Sequence, residues 1–233
     1  MNVTLISVTP EAVNLLLFTK NTRLEMSPGL MAEIAAWSPE KKKQELAYMA
    51  STIRSSWEFV DFVFMVEGVS RACAQQMTRT RQASFAMQSQ RVTDVRSMEM
   101  INPRPGDKAY AQALASGQAH YAALVDAGVP LEDARGVLPM NTACNLAVKY
   151  NLRAFVDVCA ARESLRAQGE YGQVVREMKR LVLERFPEFT PFFEAPAAMA
   201  IDMLTAVAQD LGITTGRGNG WQIAKAIDLL RKG

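Results

Sequence analysis

Histidine is almost missing from this chain: His120 stands alone. Cysteine is scarce too, with Cys73, Cys144 and Cys159 far apart and no Cys-x-x-Cys pair among them. A zinc site of the usual His/Cys kind therefore lacks ligands. His120 follows no motif and has no carboxylate placed to orient it, so it reads as a structural or surface residue rather than a general base. The odd count of thiols reads as buried cysteines in a reducing compartment. Long hydrophobic runs are also absent. The longest, Phe59 to Val66, is broken by Asp61 and is far too short to span a bilayer. The opening Met-Asn-Val-Thr lacks the basic-then-apolar pattern of a signal peptide, so a cytoplasmic location is expected. A net charge of +2 is too mild to imply nucleic acid by itself. There is no internal repeat. With 233 residues, 49% hydrophobic, the chain has enough apolar material for a sizeable core, and a single domain over 1–233 is expected.

What is present divides into short strands and longer helices. Residues 2–8 are rich in β-branched side chains and predict a strand. Pro10 opens an apolar helix through Phe18. A second helix starts with Ser38 as N-cap, Pro39 at the first helical position and Glu40 in the first turn, and runs to about Arg54. Phe59 to Val66 predicts a strand, with Gly68 turning the chain into a helix over Ser70 to Met77. Ser84 to Val95 reads as extended. From Asp107 a helix carries Tyr110, Leu114, Tyr121, Leu124 and Val125 on one face, and Pro130 ends it. Helices are then expected over Thr142 to Ala160, Leu165 to Phe186, Ala197 to Leu211 and Trp221 to Arg231. Gly216 to Gly220 lacks a preceding strand and reads as a hinge rather than a phosphate loop.

The chemically loaded stretch runs from Arg79 to Arg91. It holds Arg79, Arg81 and Arg91 with Ser84 and Ser89, and no acid follows until Asp94. Arginine presents a planar fork of donors that suits phosphate and carboxylate oxygens, and serine adds a neutral donor. The residues alone leave two readings open, an anion cradle or an exposed basic strand.

Other blocks bear on that choice. Glu67-Gly68-Val69-Ser70-Arg71 and Gln76 lie upstream. Ala134-Arg135-Gly136, Asn151-Leu152-Arg153, Arg162 and Ala167-Gln168-Gly169-Glu170 lie downstream. In this order and at these spacings they resemble the flavin-dependent thymidylate synthases, from about Ser55 to about Pro187. That family's signature is Arg-His-Arg, seven residues, then Ser. Arg79, Arg81 and Ser89 match it, with Thr80 in place of the histidine.

The resemblance implies an α/β (α+β) fold, a mixed sheet with long helices, assembled as a homotetramer. It implies FAD at Arg79, Thr80, Arg81, Asn151, Arg153 and Asp157. It implies a pyrimidine nucleotide at Gln76, Met87 (through backbone), Ser89, Arg91, Arg135 and Arg162. Arg162 is expected to be catalytic, stabilising negative charge that develops on the ring carbonyls. The implied reaction moves one carbon from methylenetetrahydrofolate to C5 of dUMP, with NADPH as reductant through FAD and dTMP as product. No protein nucleophile is implied, which agrees with the lack of a cysteine in the cradle. The departures gather on flavin contacts: Thr80, Phe59 after Glu58 where the family has a second histidine, Asp157, and Arg166 at a position often held by histidine. Val92 stands where the family has tyrosine. Phe59 reads as a core aromatic of the strand. Two alternatives stay open: 5-hydroxymethylation of the nucleotide on the same scaffold, or a silent nucleotide- or nucleic-acid-binding protein.

Overall fold

The computed structural model describes residues 1–194 apart from 23, 25, 53 and 163–168. The helices expected over Ala197 to Leu211 and Trp221 to Arg231, the glycine-rich hinge, Arg166 and the Ala167-Gln168 pair lie outside the described residues. The elements run β1 (Asn2–Val8), α1 (Ala12–Lys20), α2 (Pro28–Ala35), α3 (Pro39–Ala50), β2 (Asp61–Ser70), α4 (Arg71–Met77), β3 (Ala83–Met87), α5 (Lys108–Asp126), α6 (Leu131–Ala134), β4 (Ala143–Asn151), α7 (Leu152–Arg162) and α8 (Gly169–Arg185). One sheet in the order β1-β2-β4-β3 joins the strands, and every neighbouring pair is antiparallel.

Helix starts follow the capping chemistry in the sequence. Ser27, Ser38, Ser70 and Asp107 each accept a hydrogen bond from the backbone N–H three residues on. Ser27-Pro28 repeats the signature of Ser38-Pro39, so α2 was readable from the same signal. Gly68 does not end β2. It adopts φ +65° inside the strand, where the register with β4 shifts between Val66 and Val69, and the Asn145 carboxamide accepts its N–H at 2.9 Å.

Three expectations fail. The helix expected from Thr142 is a strand as far as Asn151. Ala143, Leu146 and Lys149 are tolerable in a helix, but the segment alternates buried and half-buried side chains between β2 and β3. Pairing on both sides overrides weak local preference. The expected extended run from Ser84 stops at Met87, where β3 ends. Phe59 also departs from its reading: it closes a 3-10 turn over Ser55–Phe59 and is 57% exposed.

The core lies between the sheet and α1, α4, α7 and α8. Phe155 of α7 sits at its centre, with ring centroids 5.8 Å from Phe62, 5.4 Å from Phe64, 5.9 Å from Tyr150 and 5.6 Å from Phe193. A smaller cluster of Val95, Tyr121 and Ala134 anchors α5 and α6, where the Tyr121 hydroxyl accepts the Val95 N–H at 3.3 Å. Replacing Phe155 with Ala removes a fully buried ring with four aromatic neighbours. Urea unfolding is expected to show a loss of about 3–5 kcal/mol, against under about 0.5 kcal/mol for an exposed control such as Gln75→Ala.

Candidate functional site

The cradle is built where α4 hands over to β3. Ser70 caps α4 through its Oγ, which accepts the Cys73 N–H at 3.0 Å. The Glu170 carboxylate, from the start of α8, accepts the Ser70 N–H at 2.7 Å and its hydroxyl at 2.5 Å. After Met77 the Arg79 N–H donates to Gln76 O and the Thr80 N–H to Met77 O, and this turn presents Arg79 and Arg81 to solvent. Among the described residues no carboxylate pairs with either.

Two pockets share Arg81 and Gln82. One, about 360 Å³, is bounded by Thr80 and Arg81 on one side and by Asp157, Val158 and Arg162 of α7 on the other. The second, about 400 Å³, is bounded by Glu58, Asp61, Ser84, Lys149 and Asn151. Several of the wall residues are already held in ion pairs. Arg153 donates to Glu58 at 2.7 Å, Arg54 to Asp157 at 2.5 Å, and Lys149 to Asp61 at 3.0 Å. The Asn151 side-chain carbonyl accepts the Ala154 N–H at 2.8 Å and so caps α7.

Ser89, Arg91 and Arg135 gather at the other end of β3. Ser89 Oγ accepts the Arg91 N–H at 3.1 Å. Arg91 donates through Nε to the Glu132 carboxylate at 2.7 Å, and Arg135 through Nε to the Glu132 backbone carbonyl at 3.1 Å. Glu132 thus fixes both arginines through Nε, and no described partner takes their Nη groups. Met87 is the half-buried last residue of β3, opposite Leu146. Gln76 is half-buried on α4. The five residues of β3 put at least about 13 Å between this cluster and the Thr80–Arg81 turn. One chain therefore brings Thr80, Arg81, Asp157 and Arg162 together, and separately Ser89, Arg91 and Arg135, without joining the two groups.

The family described as "Thymidylate synthase complementing protein" matches residues 4–188. The chain belongs to this family, the flavin-dependent thymidylate synthases. It is similar to the flavin-dependent thymidylate synthase of Nitratidesulfovibrio vulgaris, at 31% identity over 80% of this chain and 84% of that one. It is also similar to the flavin-dependent thymidylate synthase of Geobacter sulfurreducens, at 36% identity over 55% of this chain and 59% of that one. Among solved structures it superposes on a UMP/dUMP methylase, PolB, from Streptomyces cacaoi bound with 5-Br dUMP. The TM-score is 0.66 at 19% identity, covering 83% of this chain and 94% of that one, which speaks to the fold alone. The chain is an enzyme of the flavin-dependent thymidylate synthase class, and the class implies a flavin.

The residues present fit such a group. Arg81, without a carboxylate partner among the described residues, lines both pockets, with Arg79 two residues before it in the same turn, and an anionic, planar cofactor needs such cationic donors beside a cleft. Sequence reasoning missed Glu132, Glu58 and Arg54, which hold Arg91, Arg153 and Asp157 in place. Their partners lie 41, 95 and 103 residues away, beyond the reach of any local signal. The largest cavity among those described, about 760 Å³ beside Trp37, Lys42 and Phe186, contains none of the expected site residues, and no described group shows what would cover it.

Among the described residues no group of three His, Cys, Asp or Glu side chains could hold a metal ion, and no helix is long and apolar enough to cross a membrane. All three cysteines are buried. Burial pushes the Cys73 thiol up to about 12, with Glu170 and Cys144 adding to the rise and Arg162 opposing it. Burial also raises Cys144. Both are neutral thiols at neutral pH, so neither is poised as a nucleophile. Iodoacetamide at pH 8 is expected to leave Cys73 and Cys144 unlabelled in the folded protein and to label both in denaturant, read by peptide mass spectrometry. Rapid labelling of folded Cys73 would contradict the burial argument.

Proposed function

We propose that this enzyme transfers a one-carbon unit to C5 of a pyrimidine nucleotide, with dUMP as acceptor, methylenetetrahydrofolate as donor and NADPH as reductant, giving dTMP. The observation that carries the reading is a pair of polar groups: Arg81 lining the Arg162 pocket with Arg79 two residues before it, neither paired with a described carboxylate, and Arg91 and Arg135 fixed on Glu132 with Ser89 bonded to Arg91. The first group suits FAD, with Thr80 and the free amide of Asn151 as further donors. Arg153 and Asp157 shape the walls through their ion pairs with Glu58 and Arg54. Bound FAD supplies the reducing equivalents.

The second group suits the nucleotide phosphate, with Gln76 and the Met87 backbone toward the sugar. Arg162 holds positive charge where the ring carbonyl gains electron density, which makes the ring easier to attack. The chain orients and polarises, and it supplies no nucleophile of its own.

The separation along β3 means that one nucleotide cannot touch both Arg91 and Arg162 of the same chain unless it spans that length. We propose that a second chain completes each site in a homotetramer. Supporting this, α5 has nineteen residues of which Leu114 and Tyr121 are buried, and Val92 and Val137 beside the two arginines are 75% and 45% exposed. We place the enzyme in the cytoplasm, where its three buried thiols stay reduced.

Two observations favour a second reading. Thr80 takes the signature histidine's place, and exposed Phe59 offers a ring face but no donor next to Glu58. Both alter flavin contacts while the phosphate cluster is intact. If water rather than hydride meets the C5 methylene, the product is a 5-hydroxymethyl nucleotide. Product analysis with dUMP and methylenetetrahydrofolate separates the two. The methylation reading expects dTMP that requires NADPH and a flavin absorption spectrum in the purified protein. A 5-hydroxymethyl product formed without NADPH would overturn it.

A further inference from the structure

We infer that the first turn of α8, Glu170-Tyr171-Gly172, is a positioning device for Arg162, with the Tyr171 ring holding the guanidinium. The inference rests on the role of Arg162 proposed above.

Arg162 Cζ lies 4.7 Å from the centroid of the Tyr171 ring, inside the range in which an aromatic face attracts a guanidinium. The ring is fully buried, so packing fixes its plane. Its hydroxyl closes no hydrogen bond of ordinary geometry. The hydroxyl lies toward that of Tyr150, and the ring face is left toward Arg162.

The next residue sets the backbone. A Cβ on Gly172 would stand 3.1 Å from the Arg162 carbonyl oxygen and 3.3 Å from Arg176 Nη1. Both are tighter than ordinary contact, so glycine lets α8 approach the last turn of α7 closely. The preceding residue fixes the turn from the opposite side. Glu170 accepts both the N–H and the hydroxyl of Ser70, the cap of α4. Since α4 carries Gln76 and leads into Arg79 and Arg81, one helical turn ties Arg162 to the segment across its pocket. The Arg162 charge is felt as far as the Cys73 thiol on that same α4.

An arginine side chain is long and samples many rotamers. A buried ring under its head removes that freedom before ligand arrives, which is preorganisation. Tyr171 acts through Arg162 and not on the substrate.

The test uses the flavin-loaded enzyme, with dUMP binding by calorimetry and turnover at saturating folate. Arg162→Ala is the reference, and Tyr171→Phe, Tyr171→Leu, Gly172→Ala and the double variant Arg162→Ala/Tyr171→Leu are compared with it. Tyr171→Phe keeps the ring and is expected to stay within about threefold of the parent in kcat and dUMP affinity. Tyr171→Leu is expected to lower kcat by roughly five- to tenfold, and the double variant to match Arg162→Ala alone. Gly172→Ala keeps the ring but displaces the Arg162 backbone, and is expected to lower kcat in the same way. It serves as the test should Tyr171→Leu fail to fold.

Tyr171→Leu and Arg162→Ala losses that multiply in the double variant would overturn the inference, as would full turnover in Tyr171→Leu or Gly172→Ala. An Arg162→Ala enzyme with unchanged dUMP affinity and turnover would instead overturn the proposed role of Arg162 on which the inference rests.

Discussion

The pairing of β3 with β4 is the constraint on which the rest depends. Ala83 lies opposite Tyr150 and Met87 opposite Leu146, and this register sends Thr80 and Arg81 to one end of the sheet and Ser89 and Arg91 to the other. The Arg81 end meets the junction of β4 with α7, where Leu152 donates to Val60 O at 2.8 Å and Asn151 caps the helix. Because α7 begins without a loop, Asp157 and Arg162 fall on the wall facing Arg81. A one-residue slip of β3 would reverse which of its side chains face the core and misplace both groups.

The arginines of the site differ in what already holds them. Arg54, Arg91 and Arg153 each have a carboxylate partner, at 2.5, 2.7 and 2.7 Å. All three pairs are substantially exposed, so they stabilise the fold little and chiefly fix direction. Arg79 and Arg81 lack such partners among the described residues, and Arg162 rests on a ring face. Arg79 and Arg81 are thus left without a competing carboxylate, whereas Arg91 is held through Nε and keeps its Nη groups open. The proposal that Arg79 and Arg81 take the cofactor follows from this division.

Much of the candidate site was legible because arginine and serine spacing along one short stretch of chain is a local property. Arg79, Arg81, Ser89 and the order of the downstream blocks identify the family before any contact is known, and the family match agrees. The N-cap at Ser38 was legible for the same reason. Legibility ended where tertiary pairing decides. Ala143 to Asn151 lacks a strong local preference and becomes a strand because β2 and β3 flank it. Phe59 looked like part of an apolar strand, yet its backbone closes a 3-10 turn that puts the ring outside. Glu132 and Tyr171 are ordinary residues in the sequence. Their importance arises from neighbours that the fold brings to them.

Subunit complementation tests the central claim, that each site is divided between the two ends of β3 and completed by a second chain. Arg91→Ala and Arg162→Ala chains would be produced separately and together, and the purified mixed assemblies assayed for dTMP formation. Each variant alone is expected to be nearly inactive. Random pairing across a symmetric interface is expected to restore about one site in four. Mixed assemblies as inactive as either variant alone would contradict the account, because they would place both arginines in a site built by one chain.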